Sequence, residues 1–440
     1  MDQGKKIYVK TFGCSMNISD SESMIGILKR ESYTLTSDIS VADIVIVNTC
    51  GVKTPTEHRI LSYLRKLSKL GKPVIVSGCL PSINLPAIKK AIPNFAAIIG
   101  TEEIIIIDTI VNRVLSGEHG IIQINKAQVA ERNLLQKERF SSVYAIIPIS
   151  SGCLGNCAYC AVRFARGELK SYPIENIVRE ISFLVKKGYK EFWLTSQDTG
   201  VYGFDRGLTL VDLLEKIIHI EGKFKIRIGM MNPSFLKLFY KSLVPFFKNE
   251  KVYRFLHIPV QSGSDRILQL MRRGYTVEEF YEIVSYIKSQ IPDITLSTDI
   301  IVGYPGETDE DFGASIDLVK RIRPDIVNIS KFGKRPNTIA AKMETQIPES
   351  VKSERSRYLS KLVNQISYEN NLSWINWEGE ILISSIAKYG NLMGRNYAYK
   401  PIFVTPNSSE EKTLELKIGE TKKVRINRAT SRSLFGILVN

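Results

Sequence analysis

The chain carries six cysteines, and they fall into two sets of three. One set forms a compact C-x3-C-x2-C run: Cys153, Cys157 and Cys160. The other set is spread over the first part of the chain: Cys14, Cys50 and Cys79. Thiolates bind soft iron and zinc ions well. Because three thiolates leave one iron of a four-iron cluster open, the two sets predict two clusters, each with a reactive corner.

Each of the distant cysteines follows a short apolar run that is typical of a β-strand. The runs are Lys6–Gly13, Ala42–Thr49 and Lys72–Gly78. Helix-like segments alternate with them, and this alternation predicts a parallel sheet that collects ligands at the carboxyl ends of its strands. A shared sheet edge would bring the three thiols together. The alternative is three separately buried thiols, since free cysteine packs like a small hydrophobe.

The middle of the chain repeats the alternation of strand and helix. Its strand-like runs are Tyr144–Ser150, Glu191–Gln197, Phe224–Met230, Tyr253–Val260, Ile294–Gly303 and Asp325–Phe332. Six such units predict a partial, TIM-like (β/α)6 barrel with its active-site loops at the carboxyl ends of the strands. Polar residues gather at those ends: Ser196, Gln197, Asp198, Gln261, Ser262 and Asp299. Loop capping is the alternative role for the first three of them.

The last part of the chain changes to short β runs separated by turns, after a predicted helix at 349–371. The runs are Gly379–Ile386, Asn396–Val404, Thr413–Ile418, Lys422–Thr430 and Leu434–Val439, with turns at Lys388–Gly390 and Pro406–Ser409. This pattern predicts a small antiparallel β-barrel.

One stretch of this barrel carries basic residues and no acid: Lys422, Lys423, Arg425, Arg428 and Arg432. Such a stretch could track RNA phosphates. A solvated barrel face is the alternative.

These patterns divide the chain into four parts. We expect an N-terminal α/β domain at 1–115, a linker at 116–141, a barrel domain with a trailing helix at 142–372, and the small barrel at 373–440. The linker is assigned because that segment is charged and lacks a clean hydrophobic period. The predicted fold class is therefore α/β, with a small β-barrel appended.

The net charge of +15 indicates a polyanionic partner such as nucleic acid. A solvated basic surface is the alternative. No apolar run reaches the roughly 18 residues of a membrane helix, and the N-terminus lacks the apolar stretch of a signal peptide. We therefore expect a cytoplasmic protein without membrane attachment, in a compartment where thiols stay reduced.

The stretch around the compact cysteine set carries the most specific motif. In ISSGCLGNCAYCAVRFARG the cysteines are spaced by four and three residues, and Tyr159 precedes the last of them. Zinc usually takes further Cys or His ligands, and none is close in the sequence. The motif resembles the radical S-adenosylmethionine superfamily.

Further motifs narrow the resemblance to the methylthiotransferases: TFGCSMN, VNTCGV, SGCLP, ARGELKSYP, HIPVQSGS, MRRGYT and DIIVGYPGET. The small barrel resembles the TRAM RNA-binding domain of that family.

The resemblance implies a transferase with two 4Fe-4S clusters and S-adenosylmethionine as cofactors. The cluster on the compact cysteine set would bind S-adenosylmethionine, and reductive cleavage would give a 5′-deoxyadenosyl radical that removes a hydrogen from an inert C–H bond. The cluster on the distant set would supply or carry the sulfur, and a second S-adenosylmethionine would donate the methyl group. The polar residues at the barrel strand ends are then expected to contact the cofactor or the substrate.

The substrate class also follows from the resemblance. LTSQDTGVYG and ARGELKSYP resemble the archaeal and eukaryotic branch, which converts N6-threonylcarbamoyladenosine at position 37 of tRNA to its 2-methylthio derivative. Two other branches remain as alternatives, one acting on isopentenyladenosine in tRNA and one on an aspartate of a ribosomal protein. A non-enzymatic iron–sulfur module for RNA binding or electron transfer is a third alternative. The expected partners are tRNA, a reductant such as a ferredoxin or flavodoxin, and a sulfur donor.

Two basic residues lie just beyond the cluster loop, Arg163 and Arg166. One of them is expected to pair with the carboxylate of the threonylcarbamoyl group, because a guanidinium binds a carboxylate with two parallel hydrogen bonds. A structural ion pair is the alternative.

His257, on a barrel strand, is interpreted as a core residue. The segment Phe332–Met343 departs from the family pattern at three positions, which leaves its role open: Gly333, Lys334 and Asn337.

Overall fold

A computed structural model describes residues 4–125, 135–386, 392–404 and 417–439 of the chain. Several sequence predictions lie outside these described residues. They are residues 126–134 of the predicted linker, the predicted turns Lys388–Gly390 and Pro406–Ser409, and residues 413–416 of the run Thr413–Ile418.

The N-terminal domain is a parallel sheet with helices on its faces. Its strands are β1 (Lys6–Thr11), β2 (Thr34–Leu35), β3 (Ile44–Thr49), β4 (Val74–Gly78), β5 (Ala97–Ile99) and β6 (Ile121–Gln123), in the order β2-β1-β3-β4-β5-β6. Its helices are α1 (Ser15–Arg30), α2 (Thr54–Leu67), α3 (Leu80–Ala91) and α4 (Ile107–Leu115). Every residue of β3 and β4 is buried, as expected for parallel strands covered on both faces. The predicted parallel sheet is therefore confirmed.

Helix α2 shows how the sequence builds this domain. Its apolar residues recur on one face, so Ile60, Leu64 and Leu67 are buried against the sheet while Ser62, Arg65 and Lys66 are exposed. Burying each such side chain stabilises the fold by roughly 1.5–3 kcal/mol. A change of Leu64 to alanine would leave a cavity and destabilise the domain by about 2–5 kcal/mol.

The central domain is the predicted partial barrel. Its parallel strands are β7 (Tyr144–Pro148), β10 (Glu191–Thr195), β11 (Lys225–Arg227), β12 (Phe255–His257), β13 (Thr295–Val302) and β14 (Ile326–Lys331), and a short hairpin adds β8 (Ser150–Ser151) and β9 (Lys170–Ser171). The strands form two groups, β11-β10-β7 and β12-β13-β14. A bridge between Ile226 and Val252 links the groups, so the strands follow one another in chain order around an open barrel.

Helices surround these strands and close the central domain. They are α5 (Val162–Arg166), α6 (Ile174–Lys186), α7 (Leu210–Ile218), α8 (Pro233–Leu236), α9 (Tyr240–Lys248), α10 (Asp265–Leu270), α11 (Val277–Gln290), α12 (Asp309–Ile322), α13 (Ile339–Lys342) and α14 (Glu349–Leu372). Helix α14 is the predicted trailing helix. Among the described residues no helix has both the length and the apolar character that a bilayer span requires.

The last part of the chain forms a closed barrel, as predicted, although one of its strand pairs is parallel and the others are antiparallel. Its strands are β15 (Glu378–Ile386), β16 (Leu392–Arg395), β17 (Pro401–Val404), β18 (Thr421–Ala429) and β19 (Leu434–Leu438), in the order β15-β16-β17-β19-β18. The sequence did not predict β16, because four residues that include Gly394 show no alternating pattern. A Cβ at Gly394 would lie 2.8 Å from the carbonyl oxygen of Leu382 on β15, so the two strands approach closely there.

The small barrel packs against the amino ends of the central strands. The Arg254 N–H donates to the carbonyl of Tyr397 at 2.9 Å, and the Thr295 hydroxyl donates to the carbonyl of Ala398 at 2.7 Å. Lys400 forms a buried ion pair with Asp325 at 2.7 Å. The opposite edge, at the carboxyl ends of the strands, is therefore left to the N-terminal domain.

The range predicted as an exposed linker is more structured than expected. Strand β6 lies within it and pairs with β5 of the N-terminal sheet. Its last described residues join α1 to the central domain through two buried ion pairs, Arg139 with Glu22 at 2.9 Å and Lys137 with Glu180 at 2.9 Å. Two of the charged residues that interrupt the hydrophobic pattern of this segment, Lys137 and Arg139, thus form ion pairs between domains.

Candidate active site

The three distant cysteines meet at the carboxyl edge of the N-terminal sheet. Cys14 immediately precedes α1, Cys50 follows β3 and Cys79 immediately precedes α3. The Cys79 N–H donates to the carbonyl of Thr49 at 2.8 Å. A Cβ at Gly13 would lie 3.1 Å from the Sγ of Cys50, so the first two loops are packed together. One sheet edge therefore gathers three thiols that are far apart in the sequence.

The compact cysteine set lies on the loop between β8 and α5. The Gly155 N–H donates to the Sγ of Cys153 at 3.1 Å. A Cβ at Gly155 would lie 3.8 Å from the Sγ of Cys157. The Cys160 N–H donates to the carbonyl of Cys157 at 3.1 Å, which turns the chain back on itself. The three thiols therefore surround one short loop.

Gly152 and Gln197 hold the start of this loop. Gly152 has a φ of +78°, and a Cβ there would lie 1.8 Å from the carbonyl oxygen of Glu168, so only glycine fits. The Gly152 N–H donates to Oε1 of Gln197 at 2.7 Å. Gln197, expected to contact the cofactor, is thus placed to position the cysteine loop.

Burial makes four of these thiols weaker acids than an exposed cysteine. It raises the pKa of Cys50 and of Cys153 to about 12, and it also raises the pKa of Cys79 and of Cys160. Because the thiolate is the form that binds iron, cluster binding must release protons from these groups.

Two buried arginines supply positive charge to the thiols. Arg273 donates Nη1–H to the Sγ of Cys157 at 3.2 Å. Arg166 donates to Oδ2 of Asp20 at 2.6 Å and also interacts with Cys79. Hydrogen bonds from cations to cluster sulfurs are a usual way to tune the potential of an iron–sulfur centre.

The donor set fits clusters better than single ions. In the part of the chain that the structure describes, no three Cys, His, Asp or Glu side chains converge on the volume of one metal ion. The thiolates of a multi-iron cluster bind different irons, so they are held apart by the inorganic core. All six cysteines are free thiols, grouped three by three with cationic donors beside them. The residues therefore fit two iron–sulfur clusters.

A cavity of about 1030 Å³ opens between the two cysteine sites. Gly51 and Val52, directly after Cys50, line one wall, and Tyr159 and Cys160 line another. Hereafter this space is called the interdomain cavity. The segment that follows Cys50 and the last cysteine of the compact set therefore border one space, which is large enough for a nucleoside.

The floor of the interdomain cavity carries Asp299, His257 and Asn328. His257 Nε2 lies 3.2 Å from Oδ1 of Asp299, and the Asn328 amide donates to the same oxygen at 2.7 Å. Burial alone would raise the pKa of Asp299, but the hydrogen bonds from His257 and Asn328 hold it below its ordinary value. The structure places His257 on the cavity floor, so its interpretation as a core residue is wrong.

Asp198 lies near the compact cysteine set and is almost fully buried. Its Oδ1 accepts hydrogen bonds from the N–H groups of Gly200 at 2.9 Å and Asn232 at 3.1 Å. Its Oδ2 has no hydrogen-bond partner in the described structure. Burial raises the pKa of Asp198 to about 6. A free carboxylate oxygen of this kind suits the amino group of a cofactor.

The remaining predicted polar residues have different surroundings. Ser196 accepts a hydrogen bond from the Asp198 N–H at 3.1 Å, as expected for loop capping. Gln261 lines the interdomain cavity and has a φ of +76°, which is strained for a residue other than glycine. Ser262 is fully buried and accepts from the Ser264 N–H at 3.2 Å, so its hydroxyl is used within its own loop.

The two arginines beyond the cysteine loop do not share one environment. Arg166 is buried and paired with Asp20, which favours the structural ion pair. Arg163 is exposed and donates to Oδ1 of Asn156 at 2.6 Å. It lines a second cavity, of about 870 Å³, whose walls also include Cys157 and Cys160.

The predicted RNA-binding residues lie on β18 of the small barrel, except Arg432 in the turn that follows. Lys422 pairs with Glu420 at 2.9 Å, and Arg425 pairs with Glu378. Lys423 is exposed, and Arg428 stacks over the ring of Phe435 at 3.7 Å. Glu420 lies two residues before Lys422, just outside the acid-free stretch, whereas Glu378 lies on the neighbouring strand β15, which the local sequence could not reveal.

Three residues at the site have no role that the sequence alone would assign. Arg273 lies in MRRGYT, a motif whose resemblance names no function for its arginines. Asp20 follows TFGCSMN by three positions on α1. His257 begins HIPVQSGS, and its place at a strand end is the available signal.

Three family models match the chain. Residues 6–100 match the uncharacterised protein family UPF0004, residues 147–319 match the radical SAM superfamily, and residues 378–439 match the TRAM domain.

Similar proteins extend over nearly the whole chain. The chain is 44% identical to a probable threonylcarbamoyladenosine tRNA methylthiotransferase of Pyrococcus abyssi, over 98% of this chain and 99% of that protein. It is 35% identical to the threonylcarbamoyladenosine tRNA methylthiotransferase of Xenopus laevis, over 95% of this chain and 76% of that protein. Among solved structures, the radical S-adenosylmethionine methyltransferase TsrM from Kitasatospora setae covers 77% of this chain and aligns over 75% of its own chain, with a TM-score of 0.57 and 14% identity. That likeness concerns the fold.

Proposed function

The chain belongs to the threonylcarbamoyladenosine tRNA methylthiotransferase family, and we propose that its six cysteines hold the two 4Fe-4S clusters of that activity. It is a radical S-adenosylmethionine transferase that converts N6-threonylcarbamoyladenosine in tRNA to the 2-methylthio derivative. When bound, the clusters and S-adenosylmethionine supply the radical that removes hydrogen, the sulfur and the methyl group.

The observation that carries the assignment is the shared interdomain cavity. Its walls include Gly51 and Val52, which follow Cys50, and Cys160 of the compact set. Hydrogen removal and sulfur delivery are separate tasks at one substrate carbon, so both reactive corners must face the same nucleoside. The protein would hold them there at the carboxyl ends of the strands of its two α/β domains.

The chain's own residues have distinct tasks in this site. The ionised carboxylate of Asp198 accepts hydrogen bonds from the amino group of S-adenosylmethionine through its free Oδ2. Gln197 positions the cysteine loop through Gly152. Arg273 donates to Cys157 and so supports the cluster sulfurs. Asp299, held by His257, faces the substrate from the cavity floor.

The tRNA is held at two places. The modified nucleoside enters the interdomain cavity, and the exposed cations of β18 contact phosphates elsewhere on the RNA. A reductant such as a ferredoxin or flavodoxin supplies electrons, and a separate sulfur donor replaces the sulfur that leaves with each product. The six free thiols and the tRNA substrate suit a cytoplasmic location.

Nucleoside mass spectrometry tests the substrate assignment. Anaerobically reconstituted protein, S-adenosylmethionine and dithionite are incubated with an anticodon stem–loop that carries threonylcarbamoyladenosine. The 2-methylthio product should form, and the Cys157→Ala variant should form none. Product from an isopentenyladenosine stem–loop or on a ribosomal protein, with none from the first RNA, would contradict the assignment.

A further inference from the structure

The lining of the interdomain cavity holds more basic than acidic side chains. Of the described residues that line it, five are basic and two are acidic: Lys53, Lys331, Lys334, Arg335 and Lys352 against Asp299 and Glu349. Glu349 pairs with Lys331, Glu57 pairs with Arg335, and Asp299 bonds with His257 and Asn328, so Lys53, Lys334 and Lys352 remain against one unpaired carboxylate. The cavity therefore keeps an excess of positive charge that favours an anionic ligand group.

Two of these cations are not held in a direct ion pair with any described residue. Lys53 and Lys334 are exposed, and within the described ranges neither forms an ion pair. The Lys53 charge helps to lower the pKa of Asp299, so it acts on the cavity floor. The charge of Lys334 acts on Lys352 and helps to lower its pKa, although burial of Lys352 is the larger cause. Lys53 of the N-terminal domain and Lys334 of the central domain therefore both contribute positive charge to the interdomain cavity.

The backbone beside these lysines is held firmly. A Cβ at Gly333 would lie 2.1 Å from Oγ1 of Thr54, so the loop after β14 touches the start of α2. Arg335 forms a buried ion pair with Glu57 one turn further along α2. Lys334 stands between these two contacts, and Lys53 immediately precedes Thr54. The joint between the domains thus fixes both lysines at the cavity.

Arg335 adds an unused donor at the same place. Its Nη1 serves Glu57, but its Nη2 is buried with no hydrogen-bond partner in the described structure. A buried donor without an acceptor is unfavourable, and an anionic oxygen nearby would relieve it. The donors that surround this part of the cavity therefore match a carboxylate.

We propose that Lys53 and Lys334 bind the carboxylate of the threonylcarbamoyl group and so select this substrate over adenosines with an uncharged N6 group. The inference rests on the proposed function. The threonylcarbamoyl group carries a carboxylate, whereas an isopentenyl group is apolar and leaves the lysines without a counterion. Arg166 is already neutralised by Asp20, and Arg163 faces the second cavity. An RNA phosphate is the other anion that these lysines could bind.

The test compares two anticodon stem–loops that differ in one group. One carries threonylcarbamoyladenosine, and the other carries the same nucleoside with its carboxylate converted to a primary amide. The kcat/KM for methylthiolation is measured with the wild type, Lys53→Gln and Lys334→Gln. The wild type should prefer the carboxylate RNA by about tenfold or more, since a charge-assisted hydrogen bond is worth that much. Each variant should lose most of that preference through a slower reaction of the carboxylate RNA alone.

Lys66→Gln is the matched control. Lys66 is an exposed lysine in the last turn of α2, about 20 Å from Lys53 along the helix. It should keep the wild-type preference. Iron content and the unfolding temperature confirm that each variant is folded.

Equal losses on both RNAs would assign the lysines to a phosphate and overturn the inference, as would unchanged rates on both. Either result leaves the proposed function standing, because the wild type still forms the product. If the wild type modifies neither RNA, the proposed function fails and the inference fails with it.

Discussion

Arg273 donates Nη1–H to the Sγ of Cys157 at 3.2 Å, from a position where the arginine is only 5% exposed. The same guanidinium also donates to the carbonyl of Pro259 at 2.9 Å and to the hydroxyl of Tyr275 at 3.1 Å. It is therefore locked against the cysteine loop by the barrel. A fixed cation at a cluster thiolate favours the more negative, reduced cluster.

The first prediction follows from that contact. Arg273→Gln should lower the reduction potential of the cluster on the compact set by several tens of millivolts and slow S-adenosylmethionine cleavage, because it removes a charge-assisted hydrogen bond. Potentiometric titration followed by electron paramagnetic resonance measures the potential. Arg273→Lys keeps the charge and should recover part of the loss. An unchanged potential in Arg273→Gln would show that the contact does not tune the cluster.

The buried pair of Glu57 and Arg335 should stabilise the joint between the domains. Arg335→Met leaves the Glu57 carboxylate buried without its cation, which should destabilise the protein by about 3–5 kcal/mol. Unfolding followed by circular dichroism measures the loss. Adding Glu57→Gln to that variant should recover part of it, since the unpaired charge is then gone. Equal stability of the single and double variants would mean that the unpaired Glu57 carboxylate does not destabilise the protein.

Asp311 should make stability depend on pH in the acid range. Burial opposes ionisation, but hydrogen bonds from Arg266, Ser264 and Thr308 lower the pKa of Asp311 from 3.8 to about 2. The folded pKa is depressed, so the stabilisation is present above pH about 4 and is lost as the pH falls through about 2. Asp311→Asn should therefore cost about 2 kcal/mol at pH 7.

The same comparison at acid pH is the check. At pH about 3 the difference between wild type and Asp311→Asn should shrink to roughly half of its neutral value, because the wild-type group has begun to lose its advantage. Both proteins are measured without clusters by denaturant unfolding. A difference that stays constant from neutral to acid pH would refute the assignment of the stabilisation to this carboxylate.

The cations of β18 should differ in their contribution to tRNA binding. Lys423 and Arg428 form no ion pair within the described residues, whereas Lys422 is paired with Glu420. Lys423→Ala and Arg428→Ala should each weaken binding and reduce the slope of log K against log salt by about one. Lys422→Ala should have a smaller effect. Filter binding at several salt concentrations measures the slope for all three variants. Slopes equal to that of the wild type in every variant would show that β18 does not contact the RNA.

The parts of the fold that depend on local pattern can be predicted from the sequence. The runs before Cys14, Cys50 and Cys79 alternate with helices, and that alternation alone predicts a shared sheet edge. The barrel strands are predicted for the same reason. Strand β16 is missed because its four residues lack an alternating pattern, and its pairing with β15 and β17 becomes visible only in the folded barrel.

The contacts between domains could not be predicted in this way. Glu57 and Arg335 are 278 residues apart in the sequence, and neither lies in a motif that names a partner. Lys137 and Arg139 have the pattern of solvent-exposed linker charges, yet their acids lie on α1 and α6. Such pairs are set by how whole domains dock, so only the three-dimensional arrangement shows them.

Iron and acid-labile sulfide content after anaerobic reconstitution tests the central claim most directly. The wild type should hold about eight iron atoms, and a triple alanine variant of either cysteine set should hold about four. The variant of the distant set, Cys14, Cys50 and Cys79, should still cleave S-adenosylmethionine but form no methylthio product. Loss of all iron in both variants, or wild-type iron in either, would contradict two separate clusters at one cavity.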